Sequence, residues 1–248
     1  MPTPPSRPPR ANVPDNIIDN LRTRILRGEL SPGERLAPER ELAKQYGTNR
    51  TSLREALRAL EAQGLLRARQ GDGVRVQNFR QWGDISLLPH YFAAADPAQR
   101  IDIFGHLLRL RSLLIPEVIR LCIAHGSDEQ LAHLDRLVDD LAAAESRQDL
   151  GGIATAELAL YRSIVESSGA LTYIWVFNSL ERVVRGFIAS QPNMWLFVPN
   201  LVELWGSIVG AIQGRNNEEA ALRFGALLKT IEDQVTQLLP LFRASTES

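Results

Sequence analysis

The chain has 248 residues, 44% apolar and 23% charged, with a formal charge of −1. This composition excludes a disordered chain, and the length suits one large domain or two ordinary ones. No apolar run reaches the roughly 18 residues a bilayer-spanning helix needs, and a lone cysteine, Cys122, excludes an internal disulfide.

Cys122 lies in an apolar run and reads as a packing residue in a reducing compartment. The N-terminus "MPTPPSRPPRANVP" lacks the apolar core of a secretion signal, so a cytoplasmic protein is expected, with residues 1–14 a disordered proline-rich tail. The near-zero charge hides an asymmetry. Residues 1–80 carry fifteen Arg and Lys against nine Asp and Glu, net +6; residues 81–248 carry thirteen against twenty, net −7. A basic head on an acidic body suggests an anionic partner for the head alone.

Pro14 and Asp15 open a predicted helix to about Arg27, with Ile17, Ile18, Leu21, Ile25 and Leu26 as its apolar stripe. Pro32-Gly33 marks a turn, and Pro38 suits the first position of a second helix that Gly47 ends in the left-handed conformation. Asn49 or Thr48 can cap a third helix, about Arg50 to Gln63, ended by Gly64. "LLRARQ" and "VRVQN" read as two strands joined around Gly71-Asp72-Gly73. Residues 79–98 form a linker with a short helical pattern, "ISLLPHYF". Beyond it apolar residues recur at helical spacing, with breaks at Gly126, Gly151–Gly152, Ser167–Ala170, Pro192 and Arg215–Asn217. About six helices follow, enough for an antiparallel bundle with its own core. Ser127 and Gln130 form a capping box, and Pro116 should kink or split the first bundle helix.

On a wheel at about 100° per residue, Leu53, Leu57 and Leu60 lie on one side of the third helix with Ala56 beside them. Thr51, Arg54 and Arg58 lie opposite, flanked by Arg50 and Ser52. A helix anchored by leucines and lined outward by Arg, Thr and Ser suits a B-DNA major groove, because arginine can donate two parallel hydrogen bonds to guanine and short hydroxyls reach phosphates or base edges. A solvated helix face is the bland alternative. The helix, the short turn and the hairpin in this order favour the winged helix-turn-helix.

The stretch "PGERLAPERELAKQYGTNRTSLREALRALEAQGLLRARQGDGVRV" resembles the DNA-binding domain of the GntR family of bacterial transcription regulators. Ala37 stands where Ser is usual in that family, and Ser52 where a second Thr is usual. The resemblance covers residues 15–78. It implies that Arg40, Asn49, Arg50, Thr51, Ser52 and Arg54 contact an operator, with Gln70 and Gly71 doing so from the wing. Glu39, Glu41 and Glu55 read as ion-pairing and capping residues. Arg7 and Arg10 in the tail are lesser candidates for phosphate contact.

The helical remainder, residues 99–243, resembles the effector-binding and dimerisation domain of the FadR subfamily. Arg111 in "LLRLRSLLIPEVIRLC" occupies that family's recurrent arginine position, and "ELALYRSIVESSGALTY" resembles its Asp-x-x-Phe-His segment. Most such domains hold a divalent metal with one Asp and three His. The corresponding positions here are Leu158, Arg162, Trp205 and Leu227, so no metal is expected. The histidines present, His90, His106, His125 and His133, lie elsewhere, and Asp102 with His106 supplies only two ligands. Tyr161-Arg162 in place of Phe-His resembles the fatty-acid-responsive FadR branch, which implies an acyl-CoA effector. Candidate effector contacts are Arg111, Tyr161, Arg162, Trp205, Phe224 and Gly225, and Trp175, Phe177, Phe187, Trp195 and Phe197 could extend an apolar channel, although aromatics at this spacing also serve as core. The last helix departs from the acyl-CoA sensors at Leu228 and Glu232, which leaves a small carboxylic acid open as effector.

The expectation is therefore a mostly α chain: a winged helix-turn-helix with a β-hairpin wing, then an all-helical bundle. It should bind a pseudo-palindromic operator as a homodimer and act as a repressor released by an acyl-CoA or another lipid-like or carboxylic effector, with no cofactor. An enzyme is disfavoured by the lack of a nucleophile–base pair or phosphate loop. A protein-binding winged helix is the other alternative.

Overall fold

The computed structural model describes residues 13–190 and 198–246, with the side chains of 13, 187, 189–190 and 234–246 excepted. Most of the expected proline-rich tail, with Arg7 and Arg10, and the expected break at Pro192 lie outside the described residues. The chain forms two compact units, Met1–Ala94 and Ala95–Ser248.

In the first unit, α1 (Val13–Leu26), α2 (Glu39–Gln45) and α3 (Arg50–Ala62) precede an antiparallel hairpin of β1 (Leu66–Arg69) and β2 (Gly73–Val76). The predicted stripe of α1 packs inward, with Ile17, Leu21 and Ile25 buried against Leu53, Leu57 and Leu60 of α3. Gly47, at φ +58°, ends α2. Its N–H donates to the Lys44 carbonyl and that of Thr48 to Ala43, the paired bonds of a Schellman turn. Pro38 lies one residue outside the helix instead of at its first position; its extended backbone (ψ 143°) leaves its carbonyl to accept the first helical N–H groups. Residues 33–36 add a third, short rung to the hairpin through Gly33 N–H to Val76, Val76 N–H to Glu34 and Leu36 N–H to Val74.

The segment read as a linker is ordered in the first unit as far as Ala94. It forms α4 (Phe79–Trp82), a 3-10 turn (Ile85–Leu87) and α5 (Leu88–Ala94). Leu87 and Ala94 join the core of the first unit, and α5 packs on α1. Two arginines of α1 hold this segment: Arg27 Nε donates to the Ala94 carbonyl at 3.1 Å, and Arg22 lies 3.2 Å from His90 Nδ1.

Among the described residues of the second unit, six helices run in order: α6 (Pro97–His125), α7 (Asp128–Ser146), α8 (Leu150–Ser167), α9 (Leu171–Ser190), α10 (Leu201–Gln213) and α11 (Asn217–Thr246). Helix α6 packs on α11 and α7 on α8, while α10 touches both α7 and α11. The expected capping box at Ser127 and Gln130 forms, and so does one at Asp96 and Gln99 that the sequence reading missed. Pro116 does not split α6, which continues for 29 residues. The ring is exposed while Ile115, Val118 and Ile119 are buried, so the backbone acceptor it leaves unbonded lies on the solvent side where water can satisfy it. The break expected at Gly151–Gly152 falls slightly earlier, at residues 147–149 between α7 and α8. Asp149 caps α8 by accepting from Gly152 N–H at 2.9 Å, which places both glycines in the first turn.

Candidate nucleic-acid interface and effector pocket

Helix α3 presents the expected division of faces. Leu53, Ala56, Leu57 and Leu60 are buried, whereas Arg50, Thr51, Arg54 and Arg58 are exposed and Ser52 is half-buried. Asn49 caps the helix, its side-chain oxygen accepting from Ser52 N–H at 2.8 Å. That bond satisfies one orphan N–H of the first turn and leaves the Asn49 amide NH2 free to donate outward. Arg54 Nε donates to Glu39 at 2.8 Å, so α2 holds one of the candidate base-reading arginines by a salt bridge. Arg40, exposed on the same short helix, carries its charge at the surface.

The anchor behind α3 is polar as well as apolar. Arg22, buried on α1, donates to Gln63 at 3.0 Å and Asp19 at 2.6 Å, fixing the C-terminal end of α3. Glu61 accepts from Ala68 N–H at 2.9 Å and so fixes the wing against α3. Between them lies a groove of about 200 Å³ lined by Glu39, Arg54, Arg58, Glu61, Ala68 and Val74, among others. Gln70 and Gly71 are exposed at the hairpin tip, where Gly71 (φ +82°) and Gly73 (φ +79°) both need the left-handed region. The eight candidate DNA-contact residues therefore lie on three neighbouring elements, α2, the start of α3 and the wing tip. The set omitted Arg58, which helical spacing alone places on the Arg54 side.

In the second unit the candidate effector residues divide. Tyr161, Trp205 and Phe224 form a triangle of edge-to-face rings with centroids 5.0, 5.6 and 5.6 Å apart, and Trp205 is fully buried. The Arg111 guanidinium lies 5.0 Å from the Tyr161 ring centroid. The Tyr161 hydroxyl donates to the buried carboxylate of Glu157 at 3.4 Å, and burial first, then Glu157, pushes its pKa up against the opposing pull of Arg111. Two buried N–H donors of this cluster, Arg111 Nε and Trp205 Nε1, have no acceptor among the described residues. From the sequence, Glu157 and Arg162 could look like a catalytic pair but read more readily as structural; in the fold Glu157 accepts from Tyr161, four residues on, while Arg162 bonds Glu166 and Glu181.

Arg162 and Gly225 do not join the cluster. Arg162 turns to α9, bonding Glu166, Asn178 and Glu181 and covering the Phe177 ring, because the next position on a helix points about 100° away from Tyr161. Gly225 is exposed, about 100° round α11 from buried Phe224. Trp175 is exposed and Phe177 half-buried, so neither continues a buried channel; the Phe187 side chain, Trp195 and Phe197 lie outside the described residues.

The four positions that correspond to metal ligands in the resembling domains do not fit a divalent cation. Leu158, Trp205 and Leu227 are buried and offer no ligating donor, and Arg162 brings a positive charge held by two carboxylates. Among the described residues no three His, Cys, Asp or Glu side chains gather into a metal-holding group, and no helix is long and apolar enough to cross a membrane.

Comparison with known proteins agrees with both halves. Residues 14–76 match the model of the bacterial regulatory proteins of the gntR family, and residues 106–230 match the FCD domain. The chain is 34% identical over 219 residues to the uncharacterized HTH-type transcriptional regulator YieP of Escherichia coli K12, covering 86% of this chain and 91% of that protein. It is 31% identical over 181 residues to the HTH-type transcriptional regulator Mce2R of Mycobacterium tuberculosis, covering 73% and 74%. Among solved structures, Lar, which controls the Listeria monocytogenes agr system, superposes with a TM-score of 0.57 at 17% identity over 94% of this chain and 100% of that one, a likeness of fold. With a leucine-anchored arginine helix, a glycine-tipped wing and a helical effector-type domain in this order, the chain belongs to the GntR family of DNA-binding transcription regulators, in the group that carries an FCD domain.

Proposed function

We propose that this regulator binds a pseudo-palindromic operator as a homodimer, and that a small anionic effector seated at Arg111, Tyr161 and Trp205 releases it, which makes it a repressor. The observation that carries the effector reading is the pair of buried N–H donors without acceptors. Each unsatisfied buried donor costs about 1–3 kcal/mol. A carboxylate accepts from both kinds of donor and pairs with the guanidinium, so such a ligand stabilises the liganded state selectively.

A lipid-like effector such as a fatty acyl-CoA is the second reading. It is supported by the apolar character of the same region, where Leu158, Leu227 and Phe224 are all buried. That ligand would have to open the packed aromatic triangle to seat its chain. Metal takes no part in either reading.

On the DNA side, Arg50, Thr51 and Arg54 read the major groove, Asn49, Ser52 and Arg40 hold phosphates and set the register, and Gln70 and Gly71 enter the adjacent minor groove. Residues 79–94 fold with the first unit, and the Arg22 and Arg27 bonds tie them to α1, so a displacement passed along the chain from the second unit moves the head as one body. Half-site spacing then changes without any change in the reading helix.

The test is a gel-shift titration on an operator selected by the wild-type chain from random duplex DNA. Small carboxylates and acyl-CoAs of graded chain length are added in separate arms. Release by a carboxylate, lost in Arg111→Ala, supports the first reading; release by acyl-CoAs alone supports the second. No release in either arm refutes both effector classes. Retention of full affinity by Arg50→Ala/Arg54→Ala refutes the assigned DNA face.

A further inference from the structure

The wing has two faces. Register places Leu66 opposite Val76, Arg67 opposite Arg75, Ala68 opposite Val74 and Arg69 opposite Gly73. Directly opposed residues share a face and successive residues alternate. Leu66, Ala68 and Val74 therefore look toward α3, where they line its groove. Arg67, Arg69 and Arg75 take the outer face. The short third rung adds Arg35, which bridges to Arg75. Arg35, Arg75 and Arg67 thus stand in one cross-strand row, with Arg69 two residues along. The Arg35 side chain lies over Gly73, where an added Cβ would come within 3.1 Å of its Nε.

Like charges directly opposed in an antiparallel ladder destabilise it. One carboxylate answers this row: Asp72 accepts from Arg75 Nε at 2.7 Å and from a second guanidinium nitrogen at 2.8 Å. The Arg75 bonds hold its carboxyl below the usual range against a small opposing effect of burial, and the charges of Arg35 and Arg69 add to the same effect. Arg35, Arg67 and Arg69 form no ion pair among the described residues, and all three are exposed. A groove of about 280 Å³ runs beside the row past Gln77, Asn78 and Gln81 to Trp82, which is 61% exposed. This outer face is continuous with the wing tip, because Arg69 directly precedes Gln70.

We propose that the outer face of the wing is a second duplex-contact surface, on which Arg35, Arg67 and Arg69 grip backbone phosphates of DNA flanking the operator half-site. The proposal rests on the reading of the head as a DNA-binding module and extends its footprint outward. Phosphates are the matching partner because these side chains stand on a shallow strand face, which has no element to carry them into a groove, and because guanidinium forks fit phosphate oxygens in pairs. A guanidinium row that keeps only Arg75 paired among the described residues, and so weakens the free wing, is retained if a polyanion relieves the repulsion.

The experiment uses the full chain with Arg67→Gln/Arg69→Gln. Two duplexes are compared: the selected operator core alone, and the same core with one helical turn of flanking sequence on each side. The wild type should bind the flanked duplex more tightly, and the variant should lose that advantage while binding the core within about twofold of wild type. The slope of log K against log salt on the flanked duplex should become shallower by roughly two. The variant's Tm should rise by about 1–4 °C, because the cross-strand repulsion is removed. Wild-type affinity and salt slope on the flanked duplex, or a lowered Tm, overturn the proposal. If Arg50→Ala/Arg54→Ala leaves both duplexes bound as before, the DNA reading of the head itself falls, and the wing proposal falls with it.

Discussion

Arg54 is the candidate base-reading side chain that the structure shows already engaged, and its partner Glu39 gives a measurable handle on how the recognition helix works. The pair spans 2.8 Å between α2 and α3, with the arginine side chain 60% exposed and the carboxylate 36%. An exposed pair of this kind contributes about 0.2–1 kcal/mol after screening. Glu39 also lines the groove that α3 shares with the wing, so its charge stands near any phosphate brought there. If the carboxylate competes with DNA for Arg54, Glu39→Gln should tighten operator binding by about 1.5- to 5-fold, the full value of the released pair. Arg54→Ala should weaken it by about 1–3 kcal/mol if the arginine makes a bidentate base contact. Fluorescence anisotropy on the selected operator at fixed salt, with single and double variants in one thermodynamic cycle, measures both effects. In the competition picture most of the Glu39→Gln gain disappears once Arg54 is gone, and only the relief of carboxylate–phosphate repulsion remains. A Glu39→Gln loss comparable to that of Arg54→Ala would refute the reasoning, for it would mean that Glu39 aims the arginine at its base instead of holding it back.

Asn49 separates folding from reading: Asn49→Ala should lower stability by about 0.5–2 kcal/mol through the lost cap, whereas Asn49→Asp should keep the cap and the Tm but weaken operator binding, as denaturation and anisotropy on the same samples would reveal. Trp205→Ala should cost the second unit about 3–5 kcal/mol through the cavity it opens, while Trp205→Phe should keep most of the stability and lose effector release, checked by urea denaturation and gel shift. Cys122 is buried and its thiol is pushed up to about 11 by that burial. Folded-state protonation is thus retained at pH values where the unfolded thiol has ionised, so the thiol's contribution to stability is intact below about pH 8.5 and is lost as pH rises toward 11. A thiol reagent at pH 8 should leave the native chain unlabelled and react at once after addition of denaturant.

The head was legible in the sequence because its signals are local. The 3.6-residue spacing of Leu53, Leu57 and Leu60 fixes which side of α3 is buried, and Gly47 and Gly64 carry the left-handed angles that end their helices. Errors arose where a local rule met a tertiary context. Pro116 breaks isolated helices, yet it survives in α6 because its ring faces solvent while its neighbours are locked in the core. Gly151 and Gly152 weaken a helix, yet Asp149 caps them into one. The helical pattern of "ISLLPHYF" is local and its helical turns form, whereas the burial of Leu87 and Ala94 in the core of the first unit is a tertiary fact that no short-range pattern encodes. The arginine row of the wing was invisible for a related reason: Arg35 and Arg67 are 32 positions apart, and only strand register brings them onto one face of the sheet with Arg75 between them.

The same principle sorts the two arginines that the sequence offered for effector recognition. Both were plausible on charge alone. Arg162 shares Glu181 with Arg185 and also holds Glu166, so its charge is spent on joining α8 to α9. Among the described residues Arg111 forms no ion pair and keeps a buried N–H without an acceptor; it lies over the Tyr161 ring, whose other neighbour, the fully buried Trp205, has its indole N–H in the same condition. A neutralised guanidinium gains little from an anionic ligand, since binding must first break an existing pair. An unneutralised and partly desolvated one gains the whole charge-assisted bond. Arg111→Gln, which keeps hydrogen-bonding capacity but removes the charge, should therefore abolish release by a carboxylate while leaving operator affinity in its absence unchanged, and Arg162→Gln should lower the Tm with release retained. Release lost in Arg162→Gln and retained in Arg111→Gln would reverse the assignment and move the pocket to the α8–α9 side of the unit.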